Sequence, residues 1–226
     1  MASSADQVTF YNKLRAPILA GMLVAAGATA EQARLENYFE AIPIFWQEVY
    51  PDGGETLYCG EHFGARKDRS FNIEHVYPMA WAMKAEGCRE RNQCRHSSKR
   101  FNRMESDMHN FYPSRKDINR TRGSFPFGMV RGEPRLHGNC DFEFDPRTRT
   151  VEPRPQVRGN IARAMFYMQE TYGLNIYRRQ GEMLRRWSRE DPPDDEERRR
   201  NDAIEQIQGN RNRFIDNPKA VEQLRF

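Results

Sequence analysis

Apolar positions along this chain recur mostly at helical spacing, with short alternating runs between them. Residues 31–50 carry Leu35, Tyr38, Phe39 and Ile42 at that spacing, and Pro43 is expected to end the helix. Pro51-Asp52-Gly53-Gly54 reads as a turn. Residues 56–59 and 70–74 have strand character and are separated by a charged loop. Phe101, Met104 and Met108 lie at i, i+3 and i+7, which predicts a helix with one buried stripe. Ser114 and Asp117 have the spacing of a capping box and predict a short helix over 115–123. The stretch 124–150, rich in Gly, Pro and aromatics, reads as loop with short strands.

Beyond Pro155 the helical signal strengthens. Asn160 is placed to cap a helix carrying Ile161, Ala164, Met165, Met168 and Tyr172, closed by Gly173. A second helix over 177–188 carries Met183, Leu184 and Trp187. The run Asp191-Pro192-Pro193-Asp194-Asp195 breaks the chain before a third helix over 196–207. Arg198-Arg199-Arg200 is balanced by the acidic residues before it and reads as a solvated helix start. Phe214, Ile215 and Pro218 mark the tail. The pattern is that of a mixed, helix-rich α+β protein, with no shift of texture marking a boundary inside it.

Composition narrows the class. Of 226 residues, 38% are hydrophobic and 12% aromatic, enough for a packed core and too many for a disordered chain. No apolar run reaches the roughly 20 residues that span a bilayer, and no fixed period marks a repeat or coiled coil. Lys and Arg number 36 against 32 Asp and Glu, a net charge of +4 that suits a polyanionic partner. Near the N-terminus, Lys13 and Arg15 precede small and apolar residues that end in Ala28-Thr29-Ala30. A basic stretch, an apolar stretch and an A-x-A ending predict a signal peptide over 1–30. The competing reading, an amphipathic helix of the mature fold, is weakened by Pro17, Gly21 and Gly27. Cleavage after Ala30 would remove two basic residues and one acidic, leaving 34 against 31.

Cys59, Cys88, Cys94 and Cys140 are even in number and allow three pairings, as an exported protein would use them. A zinc site from Cys88, Cys94 and His96, with His109 beyond, is the rival reading; its cysteine spacing fits zinc knuckles poorly. His62, His96 and His137 have no supporting context and read as surface residues.

Chemistry concentrates between Asn72 and Ser124. Glu74-His75 falls at the end of the predicted strand. A neutral histidine can take a proton from water near physiological pH, and a carboxylate is a hard oxygen ligand for Mg²⁺ or Ca²⁺. Neighbours on a strand point to opposite faces, so the two serve one site only where the strand ends or twists. On the dipeptide alone, a structural histidine is the commoner case. Arg95, Lys99, Arg100 and Arg103 before the site, and Arg120, Arg122 and Arg131 after it, suit nonspecific contacts to phosphates.

Five blocks in order change that balance. They are Asn72–Pro78, Met104–Asn110, Asp117–Ser124, Gly159–Met168 and Ile207–Ile215. Together, over roughly residues 35–218, they resemble the bacterial endonuclease I family of secreted, sugar-nonspecific nucleases. The resemblance implies a nuclease domain over 31–226, built around a ββα-metal (His-Me finger) motif. It implies His75 as the general base that activates water. Glu74 and Asn119 would hold a single Mg²⁺, with Ca²⁺ or Mn²⁺ as substitutes. Arg91 would steady the cleaved phosphate, and Glu105 would be a carboxylate behind or beside the metal. It further implies a monomer, periplasmic or secreted, that cuts DNA and RNA to 5′-phosphate ends, with a ribonuclease of the same fold as the alternative. One departure stands at Arg120-Thr121, where a Gly-Asp pair is expected after the asparagine. Asn119 as an ordinary helix residue, His109 as a structural histidine, and Glu105 in a solvated ion pair with Arg100 or Arg103 are the plain alternatives.

Overall fold

The structure, a computed structural model, describes residues 30–66, 68–132 and 136–226. The expected signal segment, up to residue 29, lies outside them. Helix α1 (Tyr38–Ile44) starts where Asn37 accepts a hydrogen bond from the Glu40 amide. Pro43 does not end it. Proline removes one backbone donor, and the chain widens into a π-helical segment, Phe45–Val49, instead of stopping. Ala41, Phe45 and Val49, four residues apart, are all fully buried, so packing holds the helical path through the proline.

The strand expected over 56–59 is a turn. It connects two short antiparallel strands, β1 (Gly53–Glu55) and β2 (His62–Gly64). The Gly60 amide bonds to Thr56 O at 2.9 Å, and Gly60 takes a φ of +63° that a side chain would disfavour. Tyr58 and Leu57 are buried within this turn, which accounts for its strand-like composition.

Strand β3 (Phe71–His75) appears where the sequence placed it. Helices α2 (Met79–Ala85) and α3 (Arg91–Ser97) follow, then α4 (Lys99–Ser106), which buries Phe101 and Met104. Strand β4 (Phe111–Arg115) returns antiparallel to β3, with Ile73 opposite Pro113 and His75 opposite Phe111. Helix α5 (Lys116–Arg122) leaves β4 directly. Its predicted capping box is absent: Ser114 belongs to β4, and its hydroxyl donates to Arg115 O. Asp117 is taken instead by the Arg115 guanidinium.

Strands β5 (Phe142–Asp145) and β6 (Thr150–Pro153) form a third antiparallel pair. Helix α6 (Arg158–Tyr172) begins before Asn160, after a 3-10 turn at Pro155–Val157, and ends at Gly173 with φ +59°. Eleven of its fifteen residues are buried, so it runs through the centre of the molecule. Helices α7 (Arg178–Glu190), α8 (Asp195–Gln208) and α9 (Arg213–Asp216) pack around it. Arg200 is not part of a solvated helix start: it is buried, sits 3.9 Å from the Tyr112 ring and donates to Phe111 O. The architecture is α+β, helices around small antiparallel sheets.

Two apolar clusters fill the interior, one around α6 and one around Phe45, Phe71 and Phe111. The β3–β4 pair contributes to both, since Phe71 and Ile73 face one cluster while Val76 and Tyr112 belong to the other. That double anchorage gives the end of β3 a fixed position.

The cysteines pair as Cys59–Cys140 and Cys88–Cys94. The first closes a separation of 81 residues and the second one of 6. Loop-closure entropy makes the long bridge worth about 4 kcal/mol and the short one about 2. Serine at Cys59 and Cys140 is therefore expected to destabilise about twice as much as serine at Cys88 and Cys94. Urea denaturation of the two variants measures this; a larger loss from the short bridge would contradict it.

Candidate active site

His75 is the last residue of β3, so the chain turns there and Glu74 and His75 reach one cleft despite being neighbours. The cleft measures about 440 Å³ and is lined by Glu74, His75, Arg91 and Asn119, with Tyr38 and Ser124 among its walls. Four of the five site residues named from the sequence therefore meet. The fifth, Glu105, lines a neighbouring hollow.

His75 is held on three sides. Its Nε2 lies 2.9 Å from the main-chain oxygen of Glu105, which can only accept a hydrogen bond. Nε2 therefore carries the proton, and Nδ1 is left with a lone pair. The Tyr38 and Phe111 rings sit 5.1 Å and 4.9 Å from the imidazole. Burial, and then the positive charge of Arg91 and Arg95, holds His75 well below the usual histidine range. It is neutral at physiological pH, as a general base must be.

Glu74 is buried, and its Oε1 accepts from the Tyr58 hydroxyl at 2.7 Å. Arg122 Nε lies 3.1 Å from the same oxygen. Burial raises the carboxyl's pKa, Arg122 and Tyr58 lower it, and the balance leaves it pushed up to about 7. Arg122 is itself fully buried; it donates to Val76 O and Gly123 O and stacks 4.6 Å from the Phe127 ring. It is thus no phosphate contact, as the sequence suggested, but the countercharge behind Glu74.

Asn119 projects from α5. Its Nδ2 donates to Asn72 Oδ1 and Ile73 O, both at 3.0 Å. Those two acceptors fix the amide orientation and leave Oδ1 as the available atom. The Arg120-Thr121 departure does not disturb this arrangement, because Arg120 is exposed and Thr121 bonds back to Asp117 O. A carboxylate and an amide oxygen are hard donors and suit Mg²⁺, Ca²⁺ or Mn²⁺, with water completing the shell. The zinc reading is overturned: Cys88 and Cys94 are bonded to each other, His96 is exposed, and His109 is buried with Nε2 3.1 Å from Asn210 O. No group of three or more His, Cys, Asp or Glu able to hold a metal occurs among the described residues.

The Glu105 carboxylate grips Arg91 and Arg95, the latter at 2.7 and 2.9 Å. It pairs with neither Arg100 nor Arg103, which lie instead near Glu86 and Glu31. One residue thus anchors the histidine by its backbone and an arginine of the cleft by its side chain.

The places of Tyr38, Tyr58 and Arg122 beside the site escaped the sequence reading. Nothing in the sequence distinguishes a buried arginine from its exposed neighbours at Arg120 and Arg131. The blocks 104–110 and 207–215 also meet in space. Asp107, fully buried, accepts from the Tyr167 and Tyr172 hydroxyls and from Gln208 Nε2. Asn210 donates to Tyr167, and Asn212 to Arg163 O. The C-terminal motif therefore serves the scaffold beneath the site.

A neutral imidazole, a carboxylate–amide oxygen pair and an arginine line one open cleft, a set of groups able to act on a phosphodiester. The family follows from comparison with known proteins. Residues 42–219 match the Endonuclease I family. The chain is 39% identical over 220 residues to an extracellular deoxyribonuclease of Aeromonas hydrophila, covering 86% of this chain and 94% of that protein. It is 33% identical over 225 residues to a periplasmic deoxyribonuclease of the same organism, covering 88% and 94%. A shorter match, 32% over 138 residues, covers 53% of this chain and 46% of an extracellular ribonuclease of Bacillus amyloliquefaciens. The chain belongs to the endonuclease I family, and is therefore an enzyme that hydrolyses nucleic acids.

Proposed function

We propose that this protein is an exported, divalent-cation-dependent endonuclease that cuts DNA and RNA without sequence preference and leaves 5′-phosphate ends. In this reading β3, β4 and α5 are the ββα-metal element. The observation that carries it is the fixed His75 tautomer facing the same cleft as Glu74 and Asn119. His75 Nδ1 takes the proton from the attacking water, and Nε2 stays bonded to Glu105 O so that the ring cannot turn. Arg91, half-exposed in the cleft, donates to the phosphate oxygens in the planar geometry that guanidinium offers. A cation between Glu74 and Asn119 would offset charge on the phosphate and on the departing 3′ oxygen. Arg122 and Tyr58 hold Glu74 toward that position. Export is supported by the two disulfides and by the extracellular and periplasmic relatives.

Cleavage of supercoiled plasmid and of single-stranded RNA, with Mg²⁺ or with EDTA, tests this. Cutting of both in Mg²⁺ and of neither in EDTA is expected, with 5′-phosphate ends on both products. Undiminished cutting in EDTA would contradict the metal role. Cutting of RNA alone would replace the reading with the ribonuclease alternative.

A further inference from the structure

The catalytic cleft adjoins two hollows and shares one wall residue with each. Tyr38 lines both the cleft and a hollow of about 320 Å³, whose wall includes Phe39 and Arg95. Ser124 lines both the cleft and a hollow of about 430 Å³, whose wall includes Trp81, Phe125, Arg149 and Tyr177. Each outer hollow ends on an aromatic side chain left in water: Phe39 is 63% exposed and Tyr177 74%. Single exposed rings are common on proteins, but these two stand in the two hollows that adjoin the cleft.

Charge accompanies an aromatic ring in both hollows. The Arg95 guanidinium lies 4.8 Å from the Phe39 ring, and that of Arg149 lies 5.0 Å from Phe125, which stacks on Phe144. Arg149 has a φ of 54°, a conformation that side chains other than glycine rarely adopt. The Gln180 amide nitrogen, in the same hollow, is buried with no hydrogen-bond partner among the described residues. A base edge would supply the missing acceptor.

Aromatic faces alternating with guanidinium groups along a groove are the chemistry that binds single-stranded nucleic acid. A duplex keeps its base faces stacked on each other and offers such rings nothing. Resting on the nuclease reading of the cleft, we propose that the cleft and its two hollows form one channel that takes an extended single strand. Its bases stack on Phe39 at one end and on Tyr177 at the other, with the scissile phosphate between them at His75. The enzyme thereby favours unpaired over paired substrate through binding, not through chemistry.

The test is fluorescence anisotropy in EDTA, where binding is read without cutting. The probes are a labelled single-stranded oligonucleotide, the same backbone lacking bases, and the corresponding duplex. The proteins are wild type, Phe39→Ala and Tyr177→Ala, both substitutions being at exposed positions. Each variant is expected to bind the single strand roughly 5- to 100-fold more weakly. Each should bind the base-free strand and the duplex as wild type does. Unchanged single-strand binding by both variants would overturn the proposal, as would equal losses on all three probes. Failure of the catalytic reading shows separately, as cutting that survives His75→Ala.

Discussion

His75→Ala is expected to lower the rate constant for plasmid cleavage by roughly 10²- to 10⁴-fold, the range of general-base assistance, with substrate binding nearly unchanged. The imidazole is fixed by Glu105 O and by two aromatic rings, so no nearby side chain can swing into its place. His109, which is buried, has its Nε2 on Asn210 O and packs on Tyr167. Added imidazole is expected to restore part of the activity of His75→Ala, because the cavity left in the cleft admits a free ring. Single-turnover cleavage with and without imidazole measures both effects. Activity within a few-fold of wild type would remove His75 from the chemistry.

Arg122→Met is expected to cost about 3–5 kcal/mol of stability, because it leaves the buried Glu74 carboxylate without its countercharge. Activity at neutral pH should fall as well. Burial alone drives Glu74 toward its neutral form, and Arg122 is the largest influence opposing that. A protonated carboxyl is a poor cation ligand. The two losses separate in the double variant Arg122→Met/Glu74→Gln. Replacing the stranded carboxylate with an amide should return part of the stability and none of the activity. Thermal or urea unfolding of the two single variants and the double gives the coupling. Strict additivity would show that Arg122 and Glu74 do not depend on each other.

The long amphipathic helices and β3 were legible in the sequence because their apolar residues follow one period and end at Gly173 or at the Asp191–Asp195 break. Helix α3 was not, since Arg-Asn-Gln-Cys-Arg-His-Ser has one buried residue, Cys94, and the disulfide to Cys88 supplies what apolar pattern does not. Strand β4 was hidden by Pro113, which is tolerated in a two-stranded ladder at a position facing Ile73. The gathering of Glu74, His75, Arg91 and Asn119 could be named from resemblance alone. Composition and spacing gave no reason to bring α3 and α5 to the end of β3. The supports behind these residues, Tyr58 and Arg122, were illegible for a different reason: burial is set by long-range packing, and a local pattern of charges says nothing of it.

A Mn²⁺ titration followed by electron paramagnetic resonance tests most directly whether Glu74 and Asn119 hold the cation beside which His75 works. One Mn²⁺ per chain is expected for wild type and for His75→Ala, with most of the affinity lost in Glu74→Gln and in Asn119→Ala. Mn²⁺ binding that survives unchanged in both of those variants would contradict the site proposed here.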